Sequence, residues 1–487
     1  MSRQLDNDFD ALLACVGLRR PAASASSSLV LVPTTSSPYH AASHLLDWHR
    51  PVLLDSSRND ECMGRYSYLT ADPFLTVKSR GTQVELIGPT GRVTLQADPF
   101  QVLTSVLRRY SRTKPDDLPP FLGGAIGYFG YDLGRLLEPL PATATDEGLP
   151  DLDVGLYDWV LTADHLTGRN WLVATGLPDG SAGAGAARLA AVQARLACPP
   201  PMLRAASLPA PRLRSRVSKA AYFQSIQRAQ DYIAAGDIYQ VNLSHRLEGL
   251  WHGPTWPLYE RLRAVSPVPY GAYLALDDCT ILSASPERFL RVDDGRVETR
   301  PIKGTRPRGA TPDQDRALAN DLQTSEKDRA ENLMIVDLLR NDLGKVCRVG
   351  TVRVPQLFGL EGYANVWQLV STITGELRSG LHAVDALRAC FPGGSVTGCP
   401  KKRAMEIIEE LEPVRRGVYC GTIGYLSFTG AMDTSIAIRT FVVTDNQLHL
   451  QVGGAIVADS QPEEEYAETL AKGRAGLWAL GTEPEER

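Results

Sequence analysis

The sequence contains no long hydrophobic segment. Although 43% of its 487 residues are hydrophobic, a run of about 18 apolar residues, the length that crosses a bilayer, does not occur. The first ten residues carry several acids and lack the apolar core of a secretory signal. We therefore expect a soluble cytoplasmic protein without a membrane partner.

Cysteine pairs with metal-binding or redox spacing are also missing. The eight cysteines are spread from Cys15 to Cys420, and no two of them form a CxxC pair. Such cysteines are typical of free thiols in a reducing compartment.

A basic stripe is lacking as well. The net charge is -5, and lysine and arginine cluster only around Arg300–Gly309 and around Pro400–Arg403. The sequence therefore gives no reason to expect a nucleic-acid partner.

The length suggests two domains or one large two-layered domain. Residues 1–28 are polar and end in an alanine-serine tract, which predicts a loosely held lead-in. Strand-like patterns dominate 29–175, and a Pro/Ala/Gly-rich stretch at 176–215 predicts a linker. Residues 216–482 alternate helical and strand patterns and contain every strong chemical signal. This pattern predicts an α+β (mixed α/β) fold.

Several elements can be placed by periodicity. A helix is predicted to begin after Ser218 and to end at Gly236. Further helices are predicted at about 313–342, 383–390, 401–411 and 462–480, and strands at about 271–275, 281–284, 419–428, 434–443 and 447–457.

Lys303 lies among three arginines, between Pro301 and Pro307. Like charges lower the pKa of an ammonium group, and a neutral lysine is a nucleophile. Lys303 is therefore a candidate nucleophile. The alternative is an ordinary basic surface loop.

Two helix faces carry acids. Asp328 and Glu331 are three residues apart, and Glu465, Glu468 and Lys472 follow at helical spacing. Each face alone is typical of a solvated helix edge. Together they offer the carboxylate oxygens that Mg²⁺ prefers.

Two anion-binding features lie beside the second acidic helix. Gly453 and Gly454 form a glycine turn at a strand end, where N–H groups are exposed. Arg439, on a strand-like segment, is a second anion partner. Its alternative role is an edge arginine that pairs with a surface acid.

Seven ordered motifs resemble those of the chorismate-utilising enzymes, the family of anthranilate synthase component I. The resemblance is strong over about 215–480 and looser over 29–175, and it implies a large two-layered β-sheet core flanked by helices. The motifs are Asp237–Leu243, Ser285–Phe289, Pro301–Arg308, Ala330–Asp342, Phe391–Lys401, Cys420–Tyr425 and Gly453–Ser460.

Two positions separate the branches of that family. Water-adding members have a lysine where this chain has Gln240, and a glutamine cannot activate water as a base. Most anthranilate-forming and water-adding members have an alanine where this chain has Lys303. In the branch that aminates chorismate at C4, this lysine is understood to attack ring carbon C2. The resemblance therefore implies conversion of chorismate and ammonia to 4-amino-4-deoxychorismate, a precursor of para-aminobenzoate and folate.

The resemblance also implies roles for individual residues. Glu287 matches the general acid that protonates the leaving hydroxyl; its alternative is a structural ion pair with Arg288. Glu331 and Glu468 are implied as Mg²⁺ ligands, with Asp328 and Glu465 as direct or water-mediated ligands. The implied substrate-binding residues are Gln240, Thr305, Gly421, Thr422, Tyr425, Arg439, Gly453, Gly454 and Lys472.

One residue departs from the family pattern. Gln368 stands where most members have a histidine, which in anthranilate synthases is linked to the loss of pyruvate. A glutamine forms hydrogen bonds but cannot carry a proton at neutral pH. The change argues against anthranilate formation and leaves the rate of amination open.

A tryptophan pocket is a further implication of the resemblance. The residues that match it are Ser56, Arg65, Pro269 and Tyr270. The alternative is an ordinary core between two sheets, lined by Tyr66 and Tyr68.

The resemblance implies that ammonia comes from a separate glutamine amidotransferase. A fused amidotransferase would need roughly 200 more residues and a nucleophilic cysteine, and none of the eight cysteines lies in a G-x-C-x-G turn. The alternatives for the whole chain are an anthranilate-forming enzyme or a non-catalytic subunit that binds chorismate or tryptophan.

Overall fold

The structure is a computed structural model and describes residues 2–18, 29–58, 63–201, 210–362 and 366–482. The predicted lead-in and linker lie partly outside these ranges, at 19–28 and 202–209.

The described residues contain 24 strands. In chain order they are β1 (Val30–Thr34), β2 (Val52–Asp55), β3 (Tyr66–Thr70), β4 (Leu75–Arg80), β5 (Gln83–Gly88), β6 (Gly91–Gln96), β7 (Gly124–Phe129), β8 (Leu152–Tyr157), β9 (Trp159–Asp164), β10 (Arg169–Ala174), β11 (Arg214–Ser215), β12 (Gln240–Leu250), β13 (Tyr270–Ala275), β14 (Thr280–Ser285), β15 (Arg288–Asp293), β16 (Arg296–Thr299), β17 (Ile302–Pro307), β18 (Arg353–Gly362), β19 (Val366–Glu376), β20 (Gly398–Cys399), β21 (Thr422–Ser427), β22 (Met432–Ile436), β23 (Thr440–Thr444) and β24 (Gln447–Ile456).

The α-helices cover the outer faces of the molecule. None of the described helices is both long enough and apolar enough to cross a membrane. They are α1 (Ser2–Cys15), α2 (Pro38–Ala42), α3 (Pro99–Arg109), α4 (Ala182–Ala197), α5 (Lys219–Ala234), α6 (Thr255–Val265), α7 (Pro312–Thr324), α8 (Glu326–Gly344), α9 (Ala383–Cys390), α10 (Lys401–Leu411) and α11 (Pro462–Leu480), and short 3₁₀ turns lie at Ser43–Leu45, Tyr131–Leu136 and Gly394–Val396.

The described strands form two sheets of twelve, with antiparallel neighbours. The first sheet runs β1-β10-β9-β3-β2-β13-β14-β23-β24-β12-β11, with β20 paired to β12. The second runs β17-β19-β16-β15-β22-β21-β7-β8-β4-β5-β6, with β18 paired to β19. Each sheet combines strands from before residue 176 with strands from after residue 215.

The sheets face each other across a shared core. Val52 and Ile281 of the first sheet and Ile126 and Ile423 of the second are buried in one cluster. The outer face of the second sheet packs against α1, α3, α8 and α9, and that of the first against α2, α4, α6 and α11. The expected α+β fold with a two-layered core flanked by helices is confirmed.

The sheet order shows that the predicted domain boundaries do not separate two independent cores. Residues 29–175 and 216–482 do not each form a separate core, because β2 pairs with β13 and β7 pairs with β21. The lead-in prediction does not fit residues 13–18, since Leu13, Val16 and Leu18 are buried. Within the predicted linker, α4 packs Leu189 and Val192 into the core.

Two predicted elements are interrupted. The helix predicted at 313–342 is divided at Ser325, which has extended backbone angles and caps α8 by accepting a hydrogen bond from Asp328 N at 3.2 Å. The strand predicted at 434–443 is broken between β22 and β23, where Arg439 has φ +52°. Both breaks lie beside the candidate site.

Candidate active site

Lys303 lies in a β-bulge. Ile302 pairs with Val370 and Thr305 with Gln368, so Lys303 and Gly304 together oppose the single residue Leu369. Gly304 has φ +83°, and a Cβ atom there would lie 2.8 Å from Leu322 Cδ1 and 3.0 Å from Asp328 Cβ. The bulge therefore requires glycine at this position, and it redirects the neighbouring lysine.

The pKa of Lys303 is lowered from its usual value. Burial is the main cause, because removal from water disfavours the ammonium form. Glu331 and Glu287 act in the opposite direction, and Lys472 lowers the pKa further. Lys303 thus lies within the electrostatic influence of three carboxylates, Glu331, Glu287 and Glu468, and of Lys472, all of which the sequence assigned to the same site.

The flanking arginines anchor the loop. Arg300 pairs with Glu361, and Arg308 Nη2 lies 2.6 Å from Asp315 Oδ2. Arg306 Nε lies 2.6 Å from Asp321 Oδ2, and its Nη2 lies 3.0 Å from Asp328 Oδ2. The prediction that these arginines lower the pKa of Lys303 is wrong about the main cause, which is burial.

Glu287 lies where the chain crosses from β14 in one sheet to β15 in the other. Its side chain is buried, and Ser395 Oγ donates to Glu287 Oε1 at 2.7 Å. Burial raises the pKa of Glu287, while the Ser395 hydrogen bond and the charges of Lys303 and Arg439 oppose the rise. A carboxyl group whose pKa is raised keeps its proton to a higher pH, which is what a general acid requires.

The alternative role of Glu287 is excluded by its neighbour's contacts. Arg288 points to the other side of the strand, where its Nε lies 3.0 Å from Asp433 Oδ1 and its Nη1 lies 2.6 Å from Glu298 Oε1. A structural ion pair between Glu287 and Arg288 is therefore not formed.

Arg439 lies at the second crossing between the sheets. It occupies the loop between β22 and β23, and its charge acts on Glu287. No ion pair joins its guanidinium to any of the described residues. The alternative role, an edge arginine paired with a surface acid, is therefore wrong. Arg439 is a cation available for an anionic ligand.

The acids of α11 adjoin the glycines of β24. Glu468 Oε1 lies 2.6 Å from Lys472 Nζ, and Lys472 Nζ donates to Gly453 O at 3.1 Å. A Cβ atom on Gly454 would lie 3.4 Å from Glu465 Oε2 and 3.9 Å from both Glu468 Oε1 and Lys472 Nζ. Gly454 therefore leaves open a space that these polar groups border.

The four predicted metal ligands are not assembled into a cluster. Among the described residues, no three acidic, histidine or cysteine side chains are arranged to hold a metal ion. Asp328 is paired with Arg306, and Glu465 accepts from Ser460 Oγ at 2.6 Å. Burial raises the pKa of Glu331, and the charge of Glu468 raises it further. The charges of Lys303 and Lys327 act in the opposite direction. The all-oxygen donor set of these four side chains fits a divalent cation.

Gln240 begins β12 and is completely buried. Neither its amide nitrogen nor its amide oxygen has a hydrogen-bond partner among the described residues. Its backbone pairs with Cys399 of β20. A buried amide without a partner is costly, which is typical of a group that meets a ligand.

Four predicted substrate-binding residues have other surroundings. Thr422 donates its hydroxyl hydrogen to Ser435 O at 2.6 Å, and Gly421 packs against Phe129 O. Thr305 is exposed. Tyr425 packs against Tyr68, with ring centroids 5.3 Å apart. The Tyr425 prediction is wrong, because its side chain points into a second cavity between the sheets.

The second cavity has a volume of about 820 Å³. All four residues of the predicted tryptophan pocket line it: Ser56, Arg65, Pro269 and Tyr270. The Ser56 hydroxyl donates towards Tyr66 O and Pro269 O, each at 2.9 Å. The Tyr270 hydroxyl is buried and has no partner among the described residues. Tyr66 and Tyr68, which the alternative placed in an ordinary core between the two sheets, line the same cavity.

Two residues near the site received no role from the sequence. Ser395 binds Glu287, and Lys327 contributes charge to Glu331 and Glu465. Ser395 lies inside a recognised motif, and Lys327 stands four residues before Glu331 on the same helix face. The motif position of Ser395 and the helical spacing of Lys327 were visible in the sequence, but only the tertiary structure shows which residues they interact with.

Comparisons with known proteins show the family of this chain. A family model described as chorismate binding enzyme matches residues 50–477. The chain belongs to the chorismate-binding enzyme family. The seven motifs and all described strands except β1 lie within the matched range.

Relatives from two branches of the family are similar to this chain. Aminodeoxychorismate synthase component 1 of Salmonella typhimurium is 46% identical over 90% of this chain and 94% of its own length. Anthranilate synthase component 1 of Thermus thermophilus is 48% identical over 79% of this chain and 82% of its own. The crystal structure of anthranilate synthase component I from Streptococcus pneumoniae is 34% identical, has a TM-score of 0.78, and covers 85% of this chain and 92% of its own.

Proposed function

We propose that this protein converts chorismate and ammonia to 4-amino-4-deoxychorismate. The observation that carries the proposal is the position of Lys303, which is held in a bulge beside Glu287 with its pKa lowered. A neutral amine and a protonated carboxyl are the pair that an addition with loss of hydroxide needs.

In the first step the Lys303 amine attacks C2 of the chorismate ring. The C1–C2 and C5–C6 double bonds shift to C1–C6 and C4–C5, and the hydroxyl leaves C4 with its bonding electrons. Glu287 gives its proton to the departing oxygen, which leaves as water, and the lysine nitrogen remains bonded to C2.

In the second step ammonia attacks C4, and the ammonium group that forms there returns one proton to the Glu287 carboxylate. The double bonds return to their first positions, and the Lys303 nitrogen leaves C2. The new amino group is therefore para to the ring carboxylate. Arg439 and Lys472 are the cations that would balance the two substrate carboxylates.

Mg²⁺ is part of the proposal. Glu331, Glu465 and Glu468 would hold it, with Asp328 as a weaker ligand because Arg306 already binds it. When bound, the ion would screen the substrate carboxylate from these acids. Lys472 would have to release Glu468, since their side chains form an ion pair.

A second protein component is proposed as the source of ammonia. The similar Salmonella protein is named component 1 of its synthase, which supports a partner component. We propose that this partner is a glutamine amidotransferase.

Anthranilate formation is the second candidate function, because a relative named for it is 48% identical. Overall identity therefore does not separate the two reactions. The residues that favour amination at C4 over anthranilate formation are Lys303 and Gln368, whereas Gln240 argues only against the addition of water. Gln368 is buried and cannot supply the proton transfer linked to pyruvate loss.

The test is incubation of the protein with chorismate, Mg²⁺ and an ammonium salt, followed by mass spectrometry and fluorescence. We expect 4-amino-4-deoxychorismate. Fluorescent anthranilate as the main product would favour the second candidate, and no turnover would favour a non-catalytic binding subunit.

We further propose that the second cavity binds tryptophan. Calorimetric titration should show binding, and Tyr270→Phe should weaken it about 2- to 10-fold, because the buried hydroxyl would lose its ligand partner. Tyr273→Phe is a matched control on the same strand, since its hydroxyl already contacts Thr255 at 2.9 Å. Absence of heat from the wild-type protein would contradict this proposal.

A further inference from the structure

Asn332 connects α8 to the strand opposite Lys303. Its side chain is completely buried. The Nδ2 atom donates to Leu369 O at 3.2 Å, and Oδ1 accepts from Ser371 Oγ at 2.6 Å. Leu369 is the single residue that faces Lys303 and Gly304 across the bulge. The Asn332 amide thus binds β19 at the position opposite the bulge and again two residues later.

Ser371 extends this connection to two further segments. Its Oγ accepts from Phe358 N at 3.1 Å, and its own backbone N donates to Pro301 O at 3.2 Å. Phe358 has φ +56°, a conformation that a bulky residue adopts only when its surroundings enforce it. Asn332 and Ser371 therefore join α8, β18, β19 and the start of β17.

We propose that Asn332 is a positioning residue for Lys303. Together with Ser371, it holds the bulge in the shape that places Lys303 beside Glu331 and Glu287. The inference rests on the proposed function only in treating Lys303 as the nucleophile. Asn332 itself is not assigned any contact with substrate.

The geometry favours this role over a general contribution to stability. A buried amide costs free energy unless each polar atom is paired, and an apolar side chain of similar size would avoid that cost. Both polar atoms of Asn332 form hydrogen bonds with residues of β19. Asn332 directly follows Glu331 on α8. One side chain therefore fixes the distance between the helix of Glu331 and the strand that opposes Lys303.

The test compares Asn332→Ala and Ser371→Ala with Thr70→Val in the full-length chain. Thr70 is a matched control, because its hydroxyl is completely buried and donates to a backbone carbonyl, Trp159 O, at 2.7 Å. Steady-state rates with chorismate and ammonium give kcat and KM. Hydrogen exchange of the backbone amides in 300–308 reports on the bulge, and thermal unfolding reports on stability.

We expect both site variants to lower kcat by about 10- to 100-fold with less than a threefold change in KM, since a misplaced nucleophile loses rate more than binding. Exchange in 300–308 should become at least about tenfold faster because opening of the bulge costs less. Thr70→Val should lower the unfolding temperature but leave kcat and this exchange unchanged.

The inference is overturned if the site variants lose stability as Thr70→Val does but keep wild-type kcat and wild-type exchange in 300–308. Should Asn332→Ala fail to fold, Ser371→Ala decides, because it removes only one hydroxyl group. A wild-type protein without turnover would contradict the proposed function alone, since the exchange measurement does not need the reaction.

Discussion

The pKa of Lys303 is lowered, as the sequence predicted, but for a different reason. Its neighbouring arginines are engaged by Glu361, Asp321 and Asp315. Burial lowers its pKa, so its reactivity depends on the folded site and not on the local run of charge. In an unfolded peptide the same residue would be an ordinary lysine.

Lys303→Ala should lower turnover with ammonium by more than about 100-fold, because the covalent route is lost. The unfolding temperature should stay within a few degrees of wild type, since the variant also removes a desolvated cation. Turnover is measured by product formation, and a wild-type adduct of the mass of chorismate less water should be absent from the variant. Wild-type turnover in Lys303→Ala would contradict the nucleophile role.

Glu287→Gln should lower kcat by about 10²- to 10⁴-fold, because an amide cannot supply the proton. It should also make the protein more stable than wild type at neutral pH. Burial raises the pKa of Glu287 in the folded state, so its contribution to stability is fully present below the unfolded pKa and is lost as pH rises through the folded pKa. A glutamine does not ionise and avoids this loss.

Unfolding temperatures measured between pH 4 and pH 8 test the Glu287 prediction. The difference between Glu287→Gln and wild type should grow as pH rises. Glu464→Gln, an exposed position on α11, is the control and should show no such trend. An equal difference at every pH would mean that the pKa of Glu287 is the same in the folded and unfolded states, which would contradict the prediction.

At the scale of elements, the bulge in β17 decides what Lys303 faces. In a regular strand, successive side chains lie on opposite faces of the sheet. The extra residue of the bulge interrupts this alternation, so that the residues after it lie on the faces opposite to those a regular strand would give them. Gly304 is therefore as important to the site as the lysine. The break at Arg439 between β22 and β23 has the same effect, since it removes the arginine from a regular ladder.

Gly304→Ala should destabilise the protein by about 1–2 kcal/mol for the left-handed backbone alone, with more for the contacts to Leu322 and Asp328. It should also reduce turnover. Gly295→Ala is a matched control, because Gly295 has φ +72° but an added Cβ would meet no atom within 4 Å. Equal losses of stability and unchanged turnover in both variants would show that the bulge does not position Lys303. Urea unfolding and the product assay give the two measurements.

At the scale of the whole molecule, contacts distant in sequence join the two stretches that composition had separated. Arg50 is buried and pairs with Asp153, and its Nη1 lies 2.6 Å from Asp277 Oδ2. Lys78 Nζ lies 2.9 Å from the same carboxylate. This network joins residues before 176 to residues after 215, as the mixed sheets do.

Arg50→Ala should lower the free energy of unfolding by about 3–5 kcal/mol. The variant removes the main partner of the buried Asp153 and leaves only the longer contact to Lys78 Nζ, at 3.9 Å. Arg316→Ala, which removes an exposed pair with Asp313, should change it by less than about 0.5 kcal/mol. Urea unfolding followed by fluorescence and by circular dichroism measures both. A transition in which only part of the Arg50→Ala chain unfolds would show that the two stretches are less coupled than the sheets suggest.

The sequence by itself determined several of the regular elements and indicated the chemistry of the site. Periodicity placed the helices at 383–390, 401–411 and 462–480 with the bounds that the structure has, because amphipathic patterns and local caps depend on near neighbours. The motifs also identified Lys303, Glu287, Glu331 and the acids of α11 as members of one site.

Only the tertiary structure decided how those residues are arranged. It placed Tyr425 in the second cavity, gave Glu287 the partner Ser395, and joined strands from both stretches into two shared sheets. The physical reason is that burial, cross-strand register and long-range ion pairs depend on residues hundreds of positions apart. The local sequence pattern does not predict which distant residue will contact a given side chain.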